Sequence, residues 1–382
     1  MTDIELFDRW IAAAKIGPRR DLATLPGPVA EEYRRYLSKI KSTIDSAVAV
    51  MPDLAAIHTE FVQGSGLNAF AFREAGRYFV GINDGLPMLV AGTAHRMLAD
   101  PLLFTNIGDA SKETSADLPL FNGLKPDAQS IQLQLGRMRP AHGSEREFYA
   151  VHIADIVFDF IAAHELTHIA HGHTDYYVDE CGLPFIQELG YVPNTASGNL
   201  DLQTMEMDAD FHAAYLLTVN IKRVMGERHL LPTLAQFAFR DPPTAMFNLA
   251  VAVSILARLF EDDGITGVDL STRSHPPWRW RQMMTLNAIA NYASTLWDEM
   301  IVRQIEAAFS NAIVTVEKAF QIITGTGVHV AGLNHVWGPP GFLYAKSLMA
   351  CWRTSLRTKL LKYSKKMLPQ YELNWELPPA TP

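Results

Sequence analysis

His164, Glu165 and His168 carry the most legible chemistry in this chain of 382 residues. Residues four apart in a helix project from one face, so the two imidazoles can aim a ring nitrogen at a single point, a natural position for zinc. Glu165 sits beside the pair, able to take a proton from a water held at the metal without itself being a ligand. The acidic run EMDAD supplies a third ligand, because Glu206 and Asp210 are again four apart and can face the metal helix together. Glu206 completes a set of two imidazoles and a carboxylate, and Asp210 then accepts a hydrogen bond from a ligand histidine and fixes its tautomer. One Zn2+ per chain in such a set would lower the pKa of a bound water and polarise a substrate carbonyl, the chemistry of amide hydrolysis.

Two alternatives come from other classes. A catalytically silent metal-binding or chaperone protein has no need of Glu165, and a zinc hydrolase of a small amide or ester would have a narrow closed pocket without an exposed strand edge. Four more histidines, His152, His171, His173 and His212, fall in the same region, where a single histidine is more often structural than a ligand. His173 and Asp175 are the reserve ligands should Glu206 fail, and Cys181 is expected to be a buried inert thiol.

The elements that must position these residues follow from periodicity and punctuation. Ser144 and Glu147 form a capping box ahead of YAVHIADIVFDFIAAHELTHIAH, and Gly172 stands where that helix would end. An irregular region from Thr174 to about Gly198 leads to a second helix, DLQTMEMDADFHAAYLLTV. From Leu67, LNAFAFREAGRYFVGIN reads as two strands around Glu74-Ala75-Gly76, with Gly76 taking the positive φ of a three-residue loop. Residues 1 to about 60 read as helices forming a packing layer, and a further helix runs from Pro87 to about Leu98. A long polar stretch, Pro101 to Gly143, shows no sustained period. Beyond the apolar helix near 245–260 and the turn-rich STRSHPPWRW, the chain is mostly helical, with a Gly/Pro-rich loop from Gly325 to Gly341.

Bulk properties bound the partners. Hydrophobic residues make up 48% and charged ones 19%, the composition of a globular protein. A formal charge of -8 argues against nucleic acid, whose phosphates need clustered cations. The basic stretch Arg353 to Lys366 is expected to be a solvated helix face. AMFNLAVAVSILA, Ala245 to Ala257, is shorter than the roughly 20 residues of a spanning helix, so a buried core helix and no stable membrane insertion are expected. Two cysteines form no disulfide framework, and the acidic N-terminus has no secretory signal, which points to the cytoplasm.

Four stretches together resemble the gluzincin peptidases that include the HtpX-type heat-shock proteases and the CAAX prenyl proteases. LNAFAF (67–72) looks like the family's edge strand, HELTHIAHGH (164–173) is similar to HExGHxxxxH, EMDAD (206–210) fits ExxAD, and SHPPWRWR (274–281) fits SHPxxxxR. The likeness covers about residues 65 to 285 and implies the ligands and base already read from spacing. It adds His275 and Arg281 as donors near a developing oxyanion. It also implies that an extended protein or peptide substrate pairs with the strand edge at Asn68, Ala69, Phe70 and Ala71. Thr167 replaces the usual glycine, and the membrane spans of many members are missing. Soluble phage-exclusion (Lit-type) peptidases are therefore the better comparison.

The expected fold is α+β and mostly helical: a zincin-like core with a small antiparallel hairpin as sheet edge, and flanking helices. Its parts are an N-terminal helical layer (1–60), a catalytic core (61–290) and a C-terminal helical region (291–382). The expected activity is zinc-dependent cleavage of an internal peptide bond, with segments 101–143 and 174–198 covering the cleft.

Overall fold

Alternation of small and aromatic residues in the strand region builds a sheet with two buried faces. The computed structural model describes residues 1–51, 54–64, 66–114, 137–181, 185–187, 196–260, 270, 273–325 and 330–371. Strands β1 (His58–Val62), β2 (Ala69–Glu74), β3 (Arg77–Asn83) and β4 (Phe185–Gln187) lie in the order β1-β3-β2-β4, with only the β1/β3 pair parallel. Ala69, Ala71, Val80 and Ile82 face the main helical core, whereas Phe70, Phe72 and Phe79 pack under α1 (Asp3–Ala14) against Phe7 and Trp10. Gly81 makes room for this: a β carbon there would lie 2.2 Å from the Phe70 ring.

Two expectations about the strands are corrected. Glu74 pairs with Arg77, and Ala75 and Gly76 both have positive φ (50° and 75°), so the hairpin turns through two residues and not three. β2 is also not an edge. β4 pairs with it antiparallel at Phe70↔Gln187, Ala71↔Ile186 and Phe72↔Phe185, which places β4 along two of the four residues, Phe70 and Ala71, expected to receive a substrate.

The helices around the sheet are α2 (Gly27–Val48), α3 (Gly85–Leu98), α4 (Glu145–Ala170), α5 (His173–Cys181), α6 (Ala196–Gly226), α7 (Thr233–Ala238), α8 (Pro242–Leu259), α9 (Trp278–Leu296) and α10 (Glu299–Thr324). After these come α11 (Val330–Val336), α12 (Pro339–Cys351) and α13 (Arg357–Leu360). The chain is thus mostly helical with a small mixed sheet. Helix α5 replaces the start of the irregular region expected from Thr174. Likewise, α11 and the start of α12 fall in the expected Gly325–Gly341 loop.

α4 is apolar almost all round, which suits a helix enclosed by others, and it packs against α2, α3, α6 and α8. One continuous core runs from Tyr33 through α4 and α8 to Trp352 and Tyr371, across the boundaries expected at 60 and 290. α8 is the one helix among the described residues long and apolar enough to cross a membrane, and 78% of its apolar window is buried.

The ends of α4 are fixed differently. Ser144 Oγ accepts from the Glu147 amide at 3.0 Å, but the Glu147 carboxylate bonds the Gly143 amide at 2.7 Å, so only half of the expected capping box forms. Arg146, 1% exposed, donates to the carbonyls of Leu98, Asp100, Leu103, Phe104 and Ile107. Residues 101–107 are thereby tied to the N-terminal end of α4, about 27 Å of helix from His164 at roughly 1.5 Å per residue. That part of the expected cover lies at the far end of α4 from His164, and 115–136 fall outside the described residues.

At the other end Gly172 has φ 81°, as a glycine following a helix should. A β carbon there would also lie 2.6 Å from Tyr363, so glycine admits the C-terminal chain, whose Lys365 amide caps the Ala170 carbonyl at 2.8 Å. The basic stretch 353–366 keeps Arg353, Lys359 and Lys362 exposed, as a solvated face would, with Lys359 meeting Asp201 at 2.7 Å and Lys362 meeting Glu180 at 2.5 Å, while Lys365 reaches the buried Asp175 at 3.0 Å.

His95 on α3 is 1% exposed, and burial, aided by the charge of Arg139, lowers its pKa to about 4. The unfolded chain then takes up this proton before the folded one as pH falls. Stability is therefore complete above the ordinary pKa near 6.5 and declines towards pH 4, by on the order of 3 kcal/mol at most from this group. Urea unfolding at pH 7 and pH 4.5 should show a smaller acid loss in His95→Gln than in the native chain; equal losses would remove His95 from the account.

Candidate metal centre

Three helices bring the predicted ligands together. α4 carries His164, Glu165 and His168, α6 packs along it with Glu206, Asp208 and Asp210, and α9 packs on α6 with Arg281, preceded by His275. His164 Nε2 and His168 Nε2 are 2.9 Å apart. Glu206 brings Oε2 to 3.4 Å from His164 Nε2 and Oε1 to 3.5 Å from His168 Nε2. One ligand atom from each of the three residues lies within 4.8 Å of the others, and all three residues are 1–2% exposed.

This donor set fits zinc on two grounds. Two imidazole nitrogens and one carboxylate oxygen are the ligands of a hydrolytic zinc site with an open position. Glu206 Oε2 has Arg281 NH1 at 3.1 Å to balance its charge but meets no donor in hydrogen-bonding geometry, so it keeps a lone pair that a metal could take. Burial, together with the neighbouring His164 and His173, holds the His168 pKa well below its ordinary value, keeping the neutral ring that a metal needs.

The surrounding groups sort by what they touch. Asp210 Oδ1 lies 3.0 Å from His164 Nδ1, where it can orient that ring with Nε2 left for the metal. Arg281 puts Nε and NH2 on Asp210 at 2.8 and 2.7 Å, and NH1 3.1 Å from Glu206, while its guanidinium stacks 3.8 Å over Trp278. Its three nitrogens are turned to these carboxylates, so in this structure Arg281 holds Glu206 and Asp210. His275 differs. Its Nε2 is 3.5 Å from Glu206 Oε1, its Nδ1 contacts Ser274 Oγ at 2.8 Å, and at 13% it is the most exposed side chain of the group.

Other candidates lie elsewhere. Asp175, a reserve ligand, binds Arg73 at 2.6 Å, Tyr78 at 2.8 Å and Lys365 at 3.0 Å. His152 sits among Phe148, Tyr149 and Phe239. The Cys181 side chain lies outside the described residues. A described cavity of about 800 Å³, lined by Tyr149, Arg240 and Phe247, holds none of His164, His168 and Glu206.

Sequence reasoning missed Asp208. It is fully buried between His171 Nδ1 (2.5 Å), His173 Nε2 (3.0 Å) and Tyr371 Oη (2.6 Å). Burial alone would raise its carboxyl pKa, but the two histidines overcome this and hold it well below the ordinary value. The available signal was an acid set between Met207 and Ala209 in a helix whose two acidic neighbours were already assigned inward.

No protein-family model, curated protein or solved structure matches the chain.

Arg281→Met would leave two buried carboxylates without their cation in the metal-free protein. Chemical denaturation should read a loss of about 3–5 kcal/mol. Arg281→Lys should recover little, because an ammonium cannot span both carboxylates as the fork does. A loss below about 1 kcal/mol for the Met variant would contradict a holding role.

Proposed function

We propose that this chain is a zinc-dependent endopeptidase, a hydrolase of an internal peptide bond in a protein substrate. The observation that carries the reading is the convergence of His164, His168 and Glu206 on one buried point, with Glu165 next to His164 on the same helix. The likeness of four motifs to the gluzincin peptidases supports it. The proposed setting is the cytoplasm, in keeping with the buried free thiol of Cys351.

Bound zinc would supply a Lewis acid for the scissile carbonyl and a water acidified towards neutrality. Glu165 then acts as general base, receiving the water proton on its carboxylate and passing it to the leaving amine. His275, at the more exposed side of the group, donates from Nε2 to the oxygen on which negative charge develops. Asp210 and Arg281 keep His164 and Glu206 in place while this occurs.

The pairing of β4 with β2 changes how a substrate would be received. To pair with β2 along Phe70 and Ala71, an extended peptide would have to displace Phe185–Gln187, which lies within the segment 174–198 expected to cover the cleft. The same pairing, with the near-complete burial of the ligands, favours a second reading: a hydrolase of a small amide or ester.

Purified protein, with and without zinc, should be compared with Glu165→Gln on a peptide library and on a panel of small amides and esters. Cleavage that requires zinc and falls by about 10²–10⁴ in Glu165→Gln, while zinc content is unchanged, is expected. Hydrolysis of the small panel alone would support the second reading. Equal cleavage in all three preparations would exclude both.

A further inference from the structure

Behind His168 lies a buried chain of polar groups that the proposed reaction does not use. His173, which opens α5, has its Nδ1 3.0 Å from His168 Nδ1 and its Nε2 3.0 Å from Asp208 Oδ2. His171 Nδ1 meets the same oxygen at 2.5 Å, and Tyr371 donates to Oδ1 at 2.6 Å. His171, His173 and Asp208 are fully buried, and their ligand atoms lie within 4.8 Å of one another, close enough to raise the question of a second metal ion.

Counting protons decides between a second metal and a support for the first. The count rests on the proposed zinc site, in which His168 Nε2 faces the metal. A neutral His168 ring then carries its proton on Nδ1 and donates it, so the facing His173 Nδ1 must accept. The one proton of a neutral His173 is consequently on Nε2, directed to the side where Asp208, an acceptor only, lies 3.0 Å away. Its contact with Oδ2 is off the ideal hydrogen-bond line. With its proton there, His173 Nε2 has no lone pair for another cation.

We propose that His173 and Asp208 are positioning residues for His168. They fix its tautomer and ring plane and strengthen Nε2 as a donor, and the protein accordingly holds one metal ion and not two. His164 is backed directly by Asp210, whereas His168 is backed by a carboxylate acting through an intervening imidazole. Arranging this takes the turn at Gly172, which sets His173 back against the helix that carries His168.

The test is zinc affinity and stoichiometry of the full chain, by competition with a chromogenic chelator, for the native protein and for His173→Phe, His173→Gln, Asp208→Asn and Glu206→Ala. One zinc per native chain is expected. His173→Phe and Asp208→Asn should each weaken binding by roughly 10–100-fold. The double variant should be little weaker than either alone, because the two act in series. His173→Gln, which retains an acceptor and a donor, should recover part of the loss.

Cobalt substitution gives a readout that mere destabilisation would not move. The visible ligand-field bands should shift in His173→Gln and Asp208→Asn but not in the distant His95→Gln. Two zinc ions per native chain, with one lost in Asp208→Asn, would overturn the proposal, as would unchanged affinity and spectra. If instead the native chain binds no zinc, or Glu206→Ala binds it equally well, the metal-site reading fails as a whole. Zinc binding that depends on Glu206 but not on His173 defeats this inference alone.

Discussion

Two imidazole nitrogens 2.9 Å apart and a carboxylate between 3.4 and 3.5 Å from them, all but excluded from water, form a concentration of lone pairs that an apolar interior tolerates poorly. A cation at their common point would turn this cost into a set of bonds. Much of the remaining architecture can be understood as holding these atoms converged. Arg281 contributes charge from one side, stacked on Trp278 and forked onto Asp210. From the other side, His173 and Asp208 approach His168 through the turn at Gly172.

The scaffold achieves this by enclosing α4. A helix enclosed by others on most of its surface leaves little of itself to water, so its polar residues must be met by groups from its neighbours. α6 meets them with acids at 206 and 210, which α9 answers with Arg281, while Asp208 faces His171 and His173 just past the end of α4. The C-terminal region takes part as well: Tyr371 bonds Asp208, and Lys366 lies 2.9 Å from His212. The sheet stays outside this polar centre, with one face against the helical core and the other under α1.

Local pattern made part of this legible. The span of α4, its stop at Gly172 and the inward pair Glu206 and Asp210 follow from helical period and capping, which act over a few residues. The position of β2 in the sheet did not, because its second neighbour is a three-residue strand more than a hundred residues away, too short to have a period of its own. The hairpin loop is one residue shorter than its sequence suggests because Ala75, a non-glycine, adopts positive φ. Arg281 was recognised as near the site, but spacing could not say whether its fork would face substrate or protein carboxylates. Asp208 was passed over because its partners, His171 and His173, are brought to it only by the turn after α4.

Diffraction from crystals grown with zinc, recorded on both sides of the zinc absorption edge, tests the central claim most directly because it locates the ion independently of any activity. The account predicts a single strong anomalous peak per chain, within coordination distance of His164 Nε2, His168 Nε2 and the Glu206 carboxylate. A peak confined to His171, His173 and Asp208, or no peak in zinc-saturated crystals, would contradict it.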